Sequence, residues 1–180
     1  MTDITGKKVA FVLTNGYEDS ELTAPWKAVE DAGGTAVLIA PTAGEVEGKK
    51  GHRQAVDLTT DQASAADYDG LVLPGGVINA DHIRMDQPAV DLVKTFVNDG
   101  TPVGVICHGA WILIEADAVR ERTITSYPSL KTDLVNAGAK WVDEEVAIDE
   151  GIFSSRTPDD LPAFNAKLIE EVAEGEHIRS

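Results

Sequence analysis

The chain has 180 residues, of which 43% are hydrophobic and 26% charged, and a formal net charge of −16 from 15 basic and 31 acidic side chains. That is the size and make-up of one globular domain, taken here as residues 1–180, and its apolar runs, such as 9–13 and 104–107, fall far short of the roughly 20 residues that a membrane span needs. So acidic a chain argues against generic binding to nucleic acid or anionic lipid, and a single cysteine excludes an internal disulfide framework or a multi-cysteine zinc site.

The amino terminus has no basic stretch leading into an apolar signal core, so the expected location is the cytoplasm. The acids are scattered, which fits a well-solvated surface or one suited to high salt. Residues 8–13 read as a buried strand, followed by a loop over 14–19. Ser20 is placed to cap a helix with Leu22, Trp26 and Val29 on its apolar side, ended by Gly33-Gly34. A second strand covers 35–40, and 44–57 is loop-like with short strands. An apolar strand over 70–73 runs into Pro74-Gly75-Gly76, and 77–80 reads as loop. Asp86-Gln87-Pro88 opens a helix whose face carries Val90, Val93, Phe96 and Val97, and Asn98-Asp99-Gly100 ends it.

The strand over 102–106 stops abruptly at Cys107-His108-Gly109, with helical residues over 111–118. A short strand is expected at 123–126 and a helix over 129–137, ended by Gly138. Residues 141–148 and 152–155 form a hairpin pattern, and Asp159 or Asp160 is expected to cap a last helix through Leu168, Ile169 and Val172. Apolar strands separated by amphipathic helices predict a mainly parallel sheet covered on both faces, with ligands outside the carboxyl ends of its strands.

Three of those strand ends carry unusual residues: Glu18, Gly75-Gly76 and Cys107-His108-Gly109. If the strands are parallel neighbours, all three groups meet at one edge. Cys107 at a strand-to-helix turn, with glycine two positions on, has half of a nucleophile-elbow pattern; Val105 fills the position of the first glycine. A helix start would favour the thiolate there. His108 is a candidate base, although adjacent residues at such a turn usually point apart. The His108 amide and that of Gly75 or Gly76 are candidate oxyanion donors. Glu18 is the candidate carboxyl facing Cys107 and sharing a proton with it. His52, His82 and His177 are far apart and show no ligand spacing, so no metal is expected, and no phosphate loop points to a nucleotide cofactor.

Taken in order, Gly16-Tyr17-Glu18-Asp19-Ser20-Glu21-Leu22, Leu71-Val72-Leu73-Pro74-Gly75-Gly76, Val105-Ile106-Cys107-His108-Gly109, Thr125-Ser126-Tyr127-Pro128-Ser129, Asn136-Ala137-Gly138-Ala139 with Trp141-Val142-Asp143, and Ser154-Ser155-Arg156 resemble the PfpI family, within the class I glutamine amidotransferase-like superfamily. The resemblance spans nearly the whole chain. It implies a flavodoxin-like three-layer α/β sandwich with a mainly parallel central sheet, and a homo-oligomer, dimer or hexamer. It implies Cys107 as nucleophile, Glu18 as its carboxyl neighbour, the Gly76 and His108 amides as oxyanion donors, and Tyr127 near the cleft. It also implies an acid from a neighbouring subunit that orients the histidine, which here falls on Asp81. Ala110 stands where a proline commonly follows Cys-His-Gly.

The family's activities include peptidase, cofactor-independent glyoxalase and deglycase, all of which begin with thiolate attack on a carbonyl. The expected function is a cofactor-free, cysteine-dependent stress-defence enzyme acting on small carbonyl compounds or glycated adducts. The alternatives are an intracellular peptidase acting on peptides, and a redox sensor or chaperone-like protein in which Cys107 is oxidised without turnover.

Overall fold

The structure is a computed structural model that describes residues 2–177. In chain order the elements are β1 (Lys8–Val12), α1 (Asp19–Asp31), β2 (Thr35–Ala40), β3 (Glu45–Glu47), β4 (Arg53–Ala55), β5 (Leu58–Thr59), β6 (Gly70–Leu73), α2 (Val77–Ile83) and α3 (Gln87–Asp99). There follow β7 (Val103–Ile106), α4 (Trp111–Glu115), β8 (Thr123–Ile124), α5 (Lys131–Asn136), β9 (Lys140–Trp141), β10 (Ala147–Asp149), β11 (Ile152–Ser155) and α6 (Leu161–Glu174).

The main sheet runs β10-β11-β7-β6-β1-β2-β5, parallel throughout except for the β10–β11 hairpin. Alternation along β1 sends Val9 and Phe11 into a core with Leu22 and Val29 of α1 and Phe164, Leu168 and Val172 of α6. Ala10 and Val12 go to the other face, against Val90, Val93 and Phe96 of α3, Ile112 and Leu113 of α4, and Leu134 of α5. These are the three layers of the flavodoxin-like sandwich. Each fully buried Leu, Ile or Phe contributes about 1.5–3 kcal/mol to it. The strand order reverses between β1 and β6, and in open parallel sheets it is outside the carboxyl ends of the strands at such a reversal that ligands bind.

Several local expectations change. Ser20 does not cap α1: the cap position is Glu18, without a side-chain cap bond, and the Asp19 carboxylate instead receives the backbone N–H of Lys50 and His52. Residues 77–83 are the helix α2 rather than loop; its Val77 and Ile78 are exposed, so the amphipathic signature that marks a longer helix is missing. A 3-10 turn over Cys107–Ala110 precedes α4, which ends at Glu115, and another over Pro128–Leu130 precedes α5. Residues 142–146 lie outside any strand, so only 147–149 pair in the hairpin. Asp160 stands at the cap position of α6, yet its carboxylate turns back to the Arg156 backbone and guanidinium at 2.9 Å.

Candidate active site

Cys107 sits directly beyond β7 with φ 62°, a left-handed backbone that costs a non-glycine residue on the order of 1–3 kcal/mol and that its surroundings must hold. Part of that hold is visible. The Cys107 carbonyl accepts from the Tyr127 N–H at 3.2 Å. The next turn packs so closely on β6 that a methyl group at Gly109 would lie 2.5 Å from the Leu73 carbonyl oxygen. This is the elbow that the sequence suggested, and Cys107 is 8% exposed.

Beyond β6, Gly76 has φ +87°, and a methyl group there would lie 2.5 Å from the Gly16 carbonyl oxygen and 2.6 Å from the Glu18 nitrogen. Only glycine fits. The Gly76 and His108 backbone N–H groups favour the ionised Cys107 sulfur and pull its thiol down against burial. The Gly75 N–H is taken: it donates to Glu21 Oε1 at 2.8 Å. Gly75 is therefore not an oxyanion donor in this arrangement. It positions a carboxyl.

That carboxyl corrects the sequence reading. The group beside the thiol is Glu21, in the first turn of α1, and it is fully buried. A methyl group at Gly75 would touch both Glu21 Oε1 (2.5 Å) and Cys107 Cβ (2.8 Å), so the two side chains flank the same glycine. Glu21 Oε2 has no hydrogen-bond partner among the described residues, and the Cys107 thiol on the other flank of Gly75 pulls the carboxyl down slightly against burial. Glu18 is also buried, but it ion-pairs with Lys49 and, at 3.0 Å, with Lys50. The loop carrying those lysines is pinned by Lys49 N–H donating to the Tyr17 carbonyl (2.9 Å), by Tyr17 Oη donating to the His52 carbonyl (2.8 Å), and by the two bonds to Asp19.

The two acids titrate in opposite directions. Burial raises the Glu21 carboxyl to about 8, against the pull of the Gly75 N–H. Burial would raise Glu18 too, but the two lysines outweigh it and hold Glu18 below the ordinary carboxylate range. Lys49 is raised in return, chiefly by its bond to Glu18. Burial and then the charge of Glu21 push the Cys107 thiol up to about 12, while the His108 and Gly76 amides pull it down. The helix-start expectation of a lowered thiol thus gives way to burial beside a carboxyl. Glu21 and Cys107 titrate as a pair that loses its first proton near 8.

His108 is also 8% exposed. Contrary to the expectation of divergence, its Nδ1 lies 3.3 Å from Cys107 Sγ, because the left-handed φ puts both side chains on one side of the turn. Its Nε2 lies 3.5 Å from Ser129 Oγ. The ring stacks on Tyr127 (centroids 4.6 Å apart, planes at 25°) and meets Trp111 edge-on at 5.4 Å. Burial, and secondarily Lys49, keep it below the ordinary histidine value, so it is neutral at neutral pH. Asp81 is exposed on α2 and makes no hydrogen bond or ion pair with a described residue of its own chain.

Sequence reasoning missed Glu21, Lys49, Lys50, Ser129 and Trp111. Glu21 had a signal: it recurs with Pro25 and Val29 at the four-residue spacing of the buried face of α1. An acid on a core face is a candidate for special chemistry.

The chain is similar to several known proteins. YraA of Bacillus subtilis, whose name describes a cysteine protease, is 44% identical over 164 residues, covering 91% of this chain and 96% of that protein. Protein/nucleic acid deglycase 2 of Escherichia coli is 42% identical over 166 residues, with 91% and 96% covered. The crystal structure of Drosophila melanogaster DJ-1beta superposes with a TM-score of 0.87 at 26% identity, covering 94% of this chain and 91% of that one. The DJ-1/PfpI family model matches residues 7–171. The chain belongs to the DJ-1/PfpI family.

Proposed function

We propose that this chain is a cofactor-independent enzyme that uses Cys107 to attack the carbonyl of small α-oxoaldehydes or of the adducts they form on amines. The observation that carries the reading is a cysteine on a left-handed elbow with His108 Nδ1 at 3.3 Å from its sulfur and the buried carboxyl of Glu21 across Gly75. The deglycase name of the Escherichia coli relative supports the substrate class.

Glu21 is the first of the pair to ionise, near 8, while the Cys107 thiol is held up to about 12, so the Glu21 carboxylate takes the thiol proton as the sulfur attacks. The sulfur adds to the aldehyde carbon. An S–C bond forms, the carbonyl π pair moves to oxygen, and the proton held by Glu21 passes to that oxygen to give a hemithioacetal. The developing oxyanion draws on the Gly76 and His108 N–H groups. Neutral His108 then takes the proton from the former aldehyde carbon and returns it to the neighbouring ketone carbon while the hemithioacetal hydroxyl proton moves to the ketone oxygen, leaving a thioester of a 2-hydroxy acid. Water hydrolyses the thioester and restores the thiol. On an adduct, the amine leaves from the same carbon.

We further propose that the working form is a dimer or hexamer in which Asp81 of a neighbouring copy faces His108. Mixing inactive Cys107→Ala with Asp81→Ala chains should restore part of the activity; no recovery despite verified exchange of subunits would end the shared-site idea. The chemical reading is tested by incubating the protein with methylglyoxal, glyoxal, their lysine and arginine adducts, and unmodified peptides, with Cys107→Ala in parallel. Hydroxy-acid formation that requires Cys107 supports it. Peptide cleavage without carbonyl consumption would replace it with the peptidase reading, and accumulation of oxidised Cys107 without product would replace it with the sensor reading.

A further inference from the structure

Apart from the candidate active site, the carboxyl end of α6 gathers three potential ligands. Glu171 and Glu174 stand one helical turn apart, and His177 returns over them after Gly175, whose φ is +95°. Glu171 Oε2 is 3.1 Å from His177 Nε2, and Glu174 Oε2 is 3.7 Å from the same nitrogen. The ligand atoms all lie within 4.8 Å of one another.

Two features separate this cluster from an ordinary surface ion pair. The Glu171 side chain is only 3% exposed, yet among the described residues its Oε2 has no hydrogen-bond partner, and neither has the His177 Nε2 beside it. At 3.1 Å these atoms lie within ion-pair distance of each other, but they make no hydrogen bond. A carboxylate left bare in the interior is costly. The segment that brings the histidine is also fixed: His177 N–H donates to the Gly100 carbonyl at 2.7 Å, and a methyl group at Gly151 would lie 3.5 Å from His177 Cβ.

We propose that Glu171, Glu174 and His177 form a binding site for a borderline divalent cation of the Zn²⁺ class. Ligand atoms at about 2.0–2.2 Å from zinc are roughly 3–3.5 Å from each other, the spacing already present between Glu171 and His177. An imidazole with two carboxylates suits zinc, whereas Mg²⁺ and Ca²⁺ favour all-oxygen shells. Two carboxylates neutralise the dication, the helix carboxyl terminus adds negative potential, and a chain of net charge −16 concentrates cations around it. The site is structural. It ties the end of α6 to Gly100 and Gly151, which flank the amino end of β7, the strand whose other end carries Cys107. The wide sequence spacing of the histidines hid it, because its other ligands are glutamates.

The test is calorimetric titration of Zn²⁺ into the untagged full chain bearing Cys107→Ala, so that the thiol cannot be the ligand. The expected result is about one Zn²⁺ per chain, with affinity reduced at least tenfold by His177→Ala and by the exposed Glu174→Gln. Thermal unfolding provides the second reading: Zn²⁺ raises the midpoint of the Cys107→Ala chain, Mg²⁺ at the same concentration does not, and the Zn²⁺ effect disappears in Glu174→Gln. No saturable binding, binding that survives both substitutions, or an equal shift with Mg²⁺ would overturn the assignment.

Discussion

The mouth and the floor of the candidate site each hold a buried glutamate, and they treat it in opposite ways. At the mouth, Glu18 faces Lys49 and Lys50 and stays ionised; at the floor, Glu21 faces the Gly75 amide and the Cys107 thiol and stays protonated up to about 8. Three residues of sequence separate two kinds of chemistry. A carboxyl removed from water needs either a cation or a proton, and the partner decides which. The lysines make Glu18 a fixed charge, whereas the thiol makes Glu21 a proton store for the reacting sulfur.

The largest expected effect comes from the floor. Cys107→Ala should bring carbonyl turnover down to the uncatalysed background and leave nothing for iodoacetamide to label, since Cys107 is the only cysteine. Product analysis and intact-mass labelling check this. Gly76→Ala comes next: its methyl group meets the Gly16 carbonyl and must adopt a left-handed φ, so unfolding in urea should show a loss of about 2 kcal/mol or more, with turnover falling too.

Glu21→Gln keeps the acceptor for the Gly75 N–H but cannot carry the thiol proton. Turnover should fall about a hundredfold with the fold intact, by kinetics and circular dichroism. Its stability profile has a definite sign. A carboxyl raised to about 8 in the folded state binds its proton more tightly there than in the unfolded chain, where the ordinary value is 4.5. Wild type should therefore lose stability relative to Glu21→Gln as pH rises from about 4.5 to about 8, by a few kcal/mol at most. Glu18 behaves in reverse: it stabilises above 4.5, and that contribution is lost as pH falls through its lowered folded value. The smallest effect belongs to Lys49→Met. Glu18 keeps Lys50, so turnover should change less than about tenfold, while the His108 titration, followed by NMR, should move up because a neighbouring positive charge has gone.

The sequence reading placed Cys107, His108 and Gly76 at one edge because strand ends in a parallel sheet are visible as apolar runs cut short by glycine or cysteine. It chose the wrong glutamate because choosing the right one needs the start of α1 to within a residue. A cap at Ser20 leaves Glu18 in the loop as the natural candidate, whereas the observed start at Asp19 puts Glu21 on the buried face with Leu22, Pro25 and Val29. Lys49 and Lys50 were not legible at all. They reach the site through a loop pinned by Asp19 and Tyr17, a contact across some thirty positions that leaves no local periodicity.

The protonation of Glu21 can be observed directly by infrared difference spectroscopy in the carbonyl-stretch region of protonated carboxyls. At neutral pH the wild-type chain should show a buried, protonated carboxyl band that fades as pH passes about 8, persists in Glu18→Gln and is missing from Glu21→Gln. A neutral-pH spectrum without that band, or a band that disappears in Glu18→Gln and survives in Glu21→Gln, would contradict the assignment of Glu21 as the proton-holding partner of Cys107.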